Sequence, residues 1–354
     1  MIELFSYKIP FKRSLILGNQ VIDYREGIII QYRDRNKSFW SEVAPLPSFS
    51  SETLGEVKTR LQNIKSDLDA ILSTDNEVAW YSWIESANLP PSCRFGLDML
   101  YQSIRASKAG ISLHQYMNPI AESRVGCNAL VGILNNDEYP SAIDRAINDG
   151  FRTIKFKIKD PTNLVNILRP YCETHPNIHF RFDANGSWPL DKGFEWAASL
   201  SEIRPQYLEQ PFPVGQERAM AELQSMISFP LAADESCKDL DSVKYLQELR
   251  AAQTFILKPA LIGSLREIKG LMSWLKGHQY PFTITTLLES GISRKLITSI
   301  CAAWADPNID HGLNTGTLFT QDLARDKDSN DPSHILVDDK AGFFAPDQTL
   351  IHRL

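Results

Sequence analysis

From about residue 124 the chain repeats one unit: a short apolar run of strand type, then helical text, then another short run. "GCNALVGI" leads to a helix near 138–149, "TIKFKIK" to one near 161–174 and "IHFRFDA" to one near 191–201. "PQYLEQP", "PLAADES", "QTFILKP" and "FTITTLLES" continue the alternation. A parallel connection needs a crossover, so strands alternating with helices predict a parallel sheet with helices outside. At least seven such units point to a closed (β/α) barrel more than to an open sheet.

The first 115 residues have a different texture. "IELFSYKI", "EGIIIQYRD" and "SFWSEVA" look like strands, with breaks at "LGNQ" and "DRNK", the latter a plausible hairpin turn. After the Pro-rich "APLPSFS", the stretch "SSETLGEVKTRLQNIKSDLDAIL" predicts one helix with Ser50 or Ser51 as its cap. "PPSCRFGLDMLYQSIRAS" predicts another. Strands followed by helices make an α+β unit. The expected division is an α+β domain over 1–118 and a barrel over 119–324, with 325–354 packing back on the first domain. That agrees with the two domains expected of 354 residues.

Several function classes are excluded at this level. A net charge of −6 leaves no basic footprint for nucleic acid. No apolar run is long enough for a membrane span. Five scattered cysteines without a CxxC, and an N-terminal "MIELFSYKIPFKRS" lacking a signal-peptide pattern, lead us to expect a reduced, cytoplasmic protein. The seven histidines show no metal-ligand spacing.

In "TIKFKIK", Ile154, Phe156 and Ile158 share one face, and Lys155, Lys157 and Lys159 the other. On a surface that pattern is ordinary; in a barrel it is not. Charged residues end five consecutive units: Lys157, Asp183, Glu209, Asp234 and Lys258, spaced by 26, 26, 25 and 24 residues. Each spacing is about one strand–helix unit, so each strand delivers one charge to the C-terminal rim, where barrel active sites sit. A single Asp at a strand end ordinarily caps a helix or turn. Five charges in register need mutual compensation or an ion, since an unpaired buried charge costs several kcal/mol. Three carboxylates are hard oxygen ligands of the kind Mg²⁺ takes. The two lysines would flank the ion. A cation between them, with Lys155 beside Lys157, is expected to depress their pKa values and free one as a base.

The order KxK, DAN, EQP, DES, KP resembles the enolase superfamily, specifically its muconate-cycloisomerase-like subgroup. The resemblance covers almost the whole chain and implies an α/β fold: a modified (β/α)7β TIM-like barrel with an α+β capping domain. A lysine base acting with Mg²⁺ is that superfamily's known pattern, so the pairing itself is not inferred from these residues. Carried over position by position, it implies that Asp183, Glu209 and Asp234 bind Mg²⁺ and that Lys157 and Lys258 are the acid/base pair. Lys155 would assist electrostatically. Asn185 and Glu235 would support the ligands, with simple hydrogen bonding at the rim an equally open reading.

The shared chemistry of that superfamily is proton abstraction next to a carboxylate through an enediolate, on a small-molecule carboxylate substrate. Within it, "REGIII", "WSEVAPLPSFSSETL", "PSCRFGLDM", "CNALVGI", "LLESGISR" and "HGLNTGTLF" resemble the o-succinylbenzoate synthases of menaquinone biosynthesis. That resemblance implies dehydration of 2-succinyl-6-hydroxy-2,4-cyclohexadiene-1-carboxylate to o-succinylbenzoate. It sets "APLPSFS" and the loop before Arg25 over the substrate, with Asn128, Ser290 and Gly291 near it. Ser41 and Ser48 stand where that family usually has Gly, and Asn314 where Asp is common. The alternative is a superfamily isomerase: a dipeptide epimerase, N-acylamino acid racemase or muconate cycloisomerase. Dipeptide epimerases usually carry a DxD where this chain has "GLNTGT", which counts against that member. A non-catalytic binding barrel is a third reading, opposed by the five intact charges.

Overall fold

The computed structural model describes residues 1–17, 20–324, 331–338 and 344–354. Three strands open the chain: β1 (Ile2–Leu17), β2 (Gln20–Asp34) and β3 (Lys37–Val43). They pair antiparallel, β1 on β2 on β3, and the turn into β3 carries Arg35 at a left-handed φ of 52°. The ladder between β1 and β2 shifts register between Pro10 and Leu15; Pro10 has no N–H to give. The "GIII" run of β2 is buried on both faces. Ile28 and Ile30 pack with the following helices, and Ile29 packs toward the barrel, so period-2 alternation divides one apolar run between two cores.

Five helices follow: α1 (Leu54–Asn63), α2 (Lys65–Ser73), α3 (Glu77–Ser86), α4 (Pro91–Ala109) and α5 (Leu113–Met117). The single helix expected over this first stretch is two, broken at Ile64, and its cap is Thr53 rather than Ser50 or Ser51. Thr53 and Glu56 bond reciprocally as a capping box. The Ser50 hydroxyl accepts from Leu46 N instead, and Ser51 turns to Glu52. The long α4 lies on β3 because Gly96 lets the backbones close: a Cβ there would stand 2.5 Å from the Glu42 carbonyl. Ser41 donates to the Gly96 carbonyl at 2.6 Å, a bond that the glycine usual in the resembled family could not make.

The barrel follows β4 (Arg124–Gly126). Its strands are β5 (Ala129–Val131), β6 (Thr153–Lys157), β7 (His179–Asp183), β8 (Tyr207–Glu209), β9 (Leu231–Ala233), β10 (Thr254–Leu257) and β11 (Phe282–Ile284). They form one seven-stranded sheet in sequence order, parallel throughout. Between them run α6 (Tyr139–Asn148), α7 (Thr162–Thr174), α8 (Leu190–Leu200), α9 (Glu217–Met226), α10 (Leu240–Leu249), the short α11 (Pro259–Ile262) and α12 (Leu265–Gly277); α13 (Gly291–Trp304) follows β11. The ring closes at His311 and Gly312. His311 bridges Cys127 beside β5, and Gly312 bridges Thr285 beyond β11, both parallel. Seven strand–helix units and an eighth strand reduced to two residues make a (β/α)7β barrel.

Two short strands complete the chain. β12 (His334–Leu336) pairs antiparallel with β4, and β13 (Ile351–Arg353) pairs with β1. The "DLARDKDSNDPSH" and "HILVDDKAGFFAPDQ" stretches lie partly outside the described residues. No disulfide joins the five cysteines, and among the described residues no helix is long and apolar enough to cross a membrane.

Candidate active site

Strand alternation decides what enters the barrel. On β6, Ile154 and Phe156 face the outer helices, and Phe156 stacks on Phe182 of β7 with ring centres 5.7 Å apart. Lys155 and Lys157 therefore point inward. Register then aligns Lys155 with Arg181, and Lys157 with Asp183, which in turn aligns with Glu209. Two positions below the rim, Tyr207, Ala232 and Ile256 form a small apolar cluster of their own, the plug of the barrel interior. Arg181 lies in that same interior. It donates to the Asp310 carbonyl and Gln206, with its guanidinium 5.0 Å from the Tyr207 ring centre.

Above the plug, Asp183, Glu209 and Asp234 are all buried, and each offers an oxygen within 4.8 Å of the other two. Three ammonium groups reach them. Lys155 lies 2.7 Å from both Glu209 oxygens and 2.8 Å from Asp183. Lys157 lies 2.6 Å from Asp183 and 2.7 Å from the Asn185 side-chain oxygen. Lys258 lies 2.5 and 2.6 Å from the two Asp234 oxygens. Lys157 and Lys258 thus stand on opposite sides of the carboxylates, one on the second barrel strand and one just past the sixth. Lys157 is the more open, its side chain 34% exposed against 11% for Lys258.

The electrostatics follow from this crowding. Burial alone would raise the Asp183 pKa, but Lys155 and Lys157 hold it well below the usual carboxylate range. Burial and then the Asp183 charge push Glu209 up. For Lys155 burial opposes the charge, yet Asp183 and Glu209 raise its pKa; Asp234 does the same for Lys258. The depression expected from the sequence presumes a cation; at Lys155 and Lys258 the carboxylates act in the opposite direction. Glu235 is pushed up to about 7 by burial and by Asp234 beside it.

Asn185 joins three of these groups. Its N–H donates to Asp183 at 2.9 Å, its side-chain oxygen accepts from Lys157, and its amide nitrogen donates to Glu235 at 3.1 Å. Glu235 Oε2 is buried and has no hydrogen-bond partner among the described residues. Three of the four carboxyls, Asp183, Glu209 and Asp234, offer hard oxygens to one point. This donor set fits a divalent cation.

The remaining sequence candidates sit differently. Asn128 is buried and bonds to the backbone of Ala129 and, through its oxygen, to Arg181. Ser290 caps α13, and its hydroxyl donates to Glu42 of β3 at 2.7 Å. The Gly291 N–H donates to Asp322 at 2.7 Å, and a Cβ there would stand 1.7 Å from the Ala324 carbonyl. These polar groups are engaged in the frame.

Two further residues, Phe49 and Arg25, lie in or beside the segments that the resemblance set over the substrate, and a third, Leu130, was missed in the sequence. Phe49, from the "APLPSFS" loop, has its ring centre 4.6 Å from the Lys258 ammonium. Leu130, inward on β5 in register with Lys155, is 38% exposed in the mouth. Arg25 is buried and donates to the carbonyls of Ala44 and Pro45 on one side and Leu288 on the other, tying the first sheet to the segment between β11 and α13. The "CNALVGI" alternation could have flagged Leu130; the resemblance reached the segments of Phe49 and Arg25, but nothing local marks the partners of those side chains.

Residues 138–343 match the family described as Enolase C-terminal domain-like, and residues 1–103 match the MenC N-terminal domain. The o-succinylbenzoate synthase of Pectobacterium atrosepticum is 27% identical over 337 residues, covering 93% of this chain and 94% of the relative. The muconate lactonizing enzyme of Pseudomonas fluorescens, solved with muconolactone, superposes with a TM-score of 0.86 at 17% identity, covering 99% of this chain and 96% of that one. A dipeptide epimerase of Cytophaga hutchinsonii, solved with Mg and D-Ala-L-Val, gives 0.83 at 18% identity, covering 100% and 98%. At such identities the two structures speak for the fold. The family match spans more than half of the chain, and the chain belongs to the enolase C-terminal domain-like family.

Proposed function

We propose that this member of the family is a Mg²⁺-dependent carbon–oxygen lyase that dehydrates 2-succinyl-6-hydroxy-2,4-cyclohexadiene-1-carboxylate to o-succinylbenzoate. The observation that carries the reading is the pair Lys157 and Lys258 flanking three carboxylates that converge within 4.8 Å. Similarity over nine-tenths of the chain to an o-succinylbenzoate synthase, and the MenC N-terminal match, support this choice of substrate.

Asp183, Glu209 and Asp234 would hold the cation. Bound there, Mg²⁺ supplies the positive charge that makes a proton next to a carboxylate removable and, by repulsion, favours the neutral amine of a neighbouring lysine. Lys157 takes that proton. The C–H electron pair flows into the new ring double bond, the C–O bond breaks, and the hydroxyl leaves as water with a proton returned by Lys157; no redox partner is needed. Lys258 faces the opposite side as an ammonium ion and stabilises the developing negative charge. Phe49 covers Lys258 and keeps water from it. Lys155 holds Glu209 and Asp183 apart from solvent, while Asn185 orients Lys157 and links it to Glu235. Asn128, Ser290 and Gly291 shape the wall behind the substrate.

The same reading divides the chain into a capping domain over 1–118, joined by β13, and a catalytic barrel over 119–324, with β12 on the barrel side through its pairing with β4, and assigns the protein to the cytoplasm. Two lysines on opposite faces also suit epimerisation, so the isomerase is the second reading. The test is substrate absorbance in the dehydration reaction, with Mg²⁺ and with EDTA, beside a dipeptide panel. Loss of absorbance only with Mg²⁺ supports the dehydratase. Epimerised dipeptides without dehydration overturn it.

A further inference from the structure

We propose that Gln210 is a positioning residue for the carboxylate cluster: its side-chain amide fixes the backbone that carries Asp234, and so sets where that carboxylate stands relative to Glu209. The inference rests on the reading of Asp183, Glu209 and Asp234 as a divalent-cation site.

Gln210 directly follows Glu209 and is fully buried. Its φ of 36° lies in the left-handed region, where a side chain is strained. That turn sends the amide across to the end of β9. Its oxygen accepts from the N–H groups of Asp234 at 3.0 Å and Ser236 at 3.2 Å. Its nitrogen donates to the Phe212 carbonyl at 2.9 Å and to the Ser236 hydroxyl at 3.0 Å. The two lone pairs and both N–H bonds of the amide are thereby used. Ser236 passes its own proton on to Glu217 in the first turn of α9 at 3.0 Å. One strand end thus carries a ligand, Glu209, and through the next residue holds the backbone of another ligand. Positive φ at a non-glycine residue recurs at Asn185, just past β7, where the side chain and N–H also bond to the cluster.

β9 is pinned at its other end by a second buried glutamine. Gln224 donates to the Phe229 carbonyl at 3.1 Å and accepts from Leu231 N at 2.6 Å. The two glutamines hold the same strand by the same chemistry, one at the carboxylates and one remote from them. A merely structural role makes them equivalent for stability and irrelevant to cation affinity.

The experiment measures Mn²⁺ affinity by electron paramagnetic resonance of the free ion, together with thermal melting, for wild type, Gln210→Met, Ser236→Ala and Gln224→Met. We expect Gln210→Met to weaken Mn²⁺ about tenfold or more, in the range typical for groups that orient ligands. Gln224→Met should stay within about twofold of wild type while lowering the melting temperature. If Gln210→Met does not melt cooperatively, Ser236→Ala decides, with at least about threefold weakening expected. Wild-type affinity retained in Gln210→Met, or equal weakening in Gln224→Met, overturns the inference alone. A wild type that binds no Mn²⁺ overturns the cation-site reading and this inference with it.

Discussion

Lys155→Met removes the charge that holds Glu209. Lys155 is 8% exposed and bonds both Glu209 oxygens at 2.7 Å and Asp183 at 2.8 Å. At 2.7 Å and an effective dielectric constant of about 20, one such pair attracts by ~6 kcal/mol, most of it offset by desolvation. Removing one partner leaves the other charge buried and uncompensated, which costs about 3–5 kcal/mol. Unfolding entropy for 354 residues is about 0.7 kcal/mol per kelvin. The melting temperature should therefore fall by about 4–7 °C in EDTA. In millimolar MgCl₂ the gap should narrow, because a cation on Asp183 and Glu209 restores charge that Met lacks. Differential scanning calorimetry in the two buffers measures both numbers. Unchanged melting in EDTA would refute the claim of compensation. A loss of equal size in both buffers would refute the claim that the carboxylates receive a cation.

Other perturbations separate the remaining roles. Lys157→Ala should lower the dehydration kcat by about 10²–10⁴ while retaining Mn²⁺ binding, checked by substrate absorbance and by titration of the ion. Glu289 is buried with Oε1 unpartnered among the described residues, and burial raises its pKa from 4.5 to about 7. A carboxyl with a raised folded pKa binds more protons folded than unfolded, so its contribution is present below pH 4.5 and lost as pH rises through 7. Denaturant unfolding should show Glu289→Gln gaining on wild type across that window, by at most about 3 kcal/mol; a pH-independent difference would exclude this titration. Gly96→Ala would set a Cβ 2.5 Å from the Glu42 carbonyl, so α4 must lift from β3. Urea unfolding should register a loss of about 1–3 kcal/mol.

Much of the site was legible because barrel geometry repeats in sequence. A charge at each strand end, one unit apart, must converge at one rim, and the alternation of β6 sends Ile154 and Phe156 out and Lys155 and Lys157 in. Helix ends were less legible. Several hydroxyls near residue 50 compete for one cap, and only the reciprocal bond of Glu56 selects Thr53. Ser48, at a left-handed φ of 69°, shows why glycine is usual there in the resembled family, yet the sequence could not say that this chain accepts the strain.

The sequence by itself determined the barrel, the order of its charges and the three carboxylates, since these follow from periods of two residues, 3.6 residues and one strand–helix unit. Tertiary structure alone decided the contacts between units remote in the chain. Phe49 over Lys258, Arg25 across to Leu288 and Glu42 on the cap of α13 are such contacts. The closing bridges of His311 and Gly312 belong with them. Local patterning fixes which face a side chain takes, but which distant partner meets that face depends on how the sheet and barrel pack, and no short-range period encodes that.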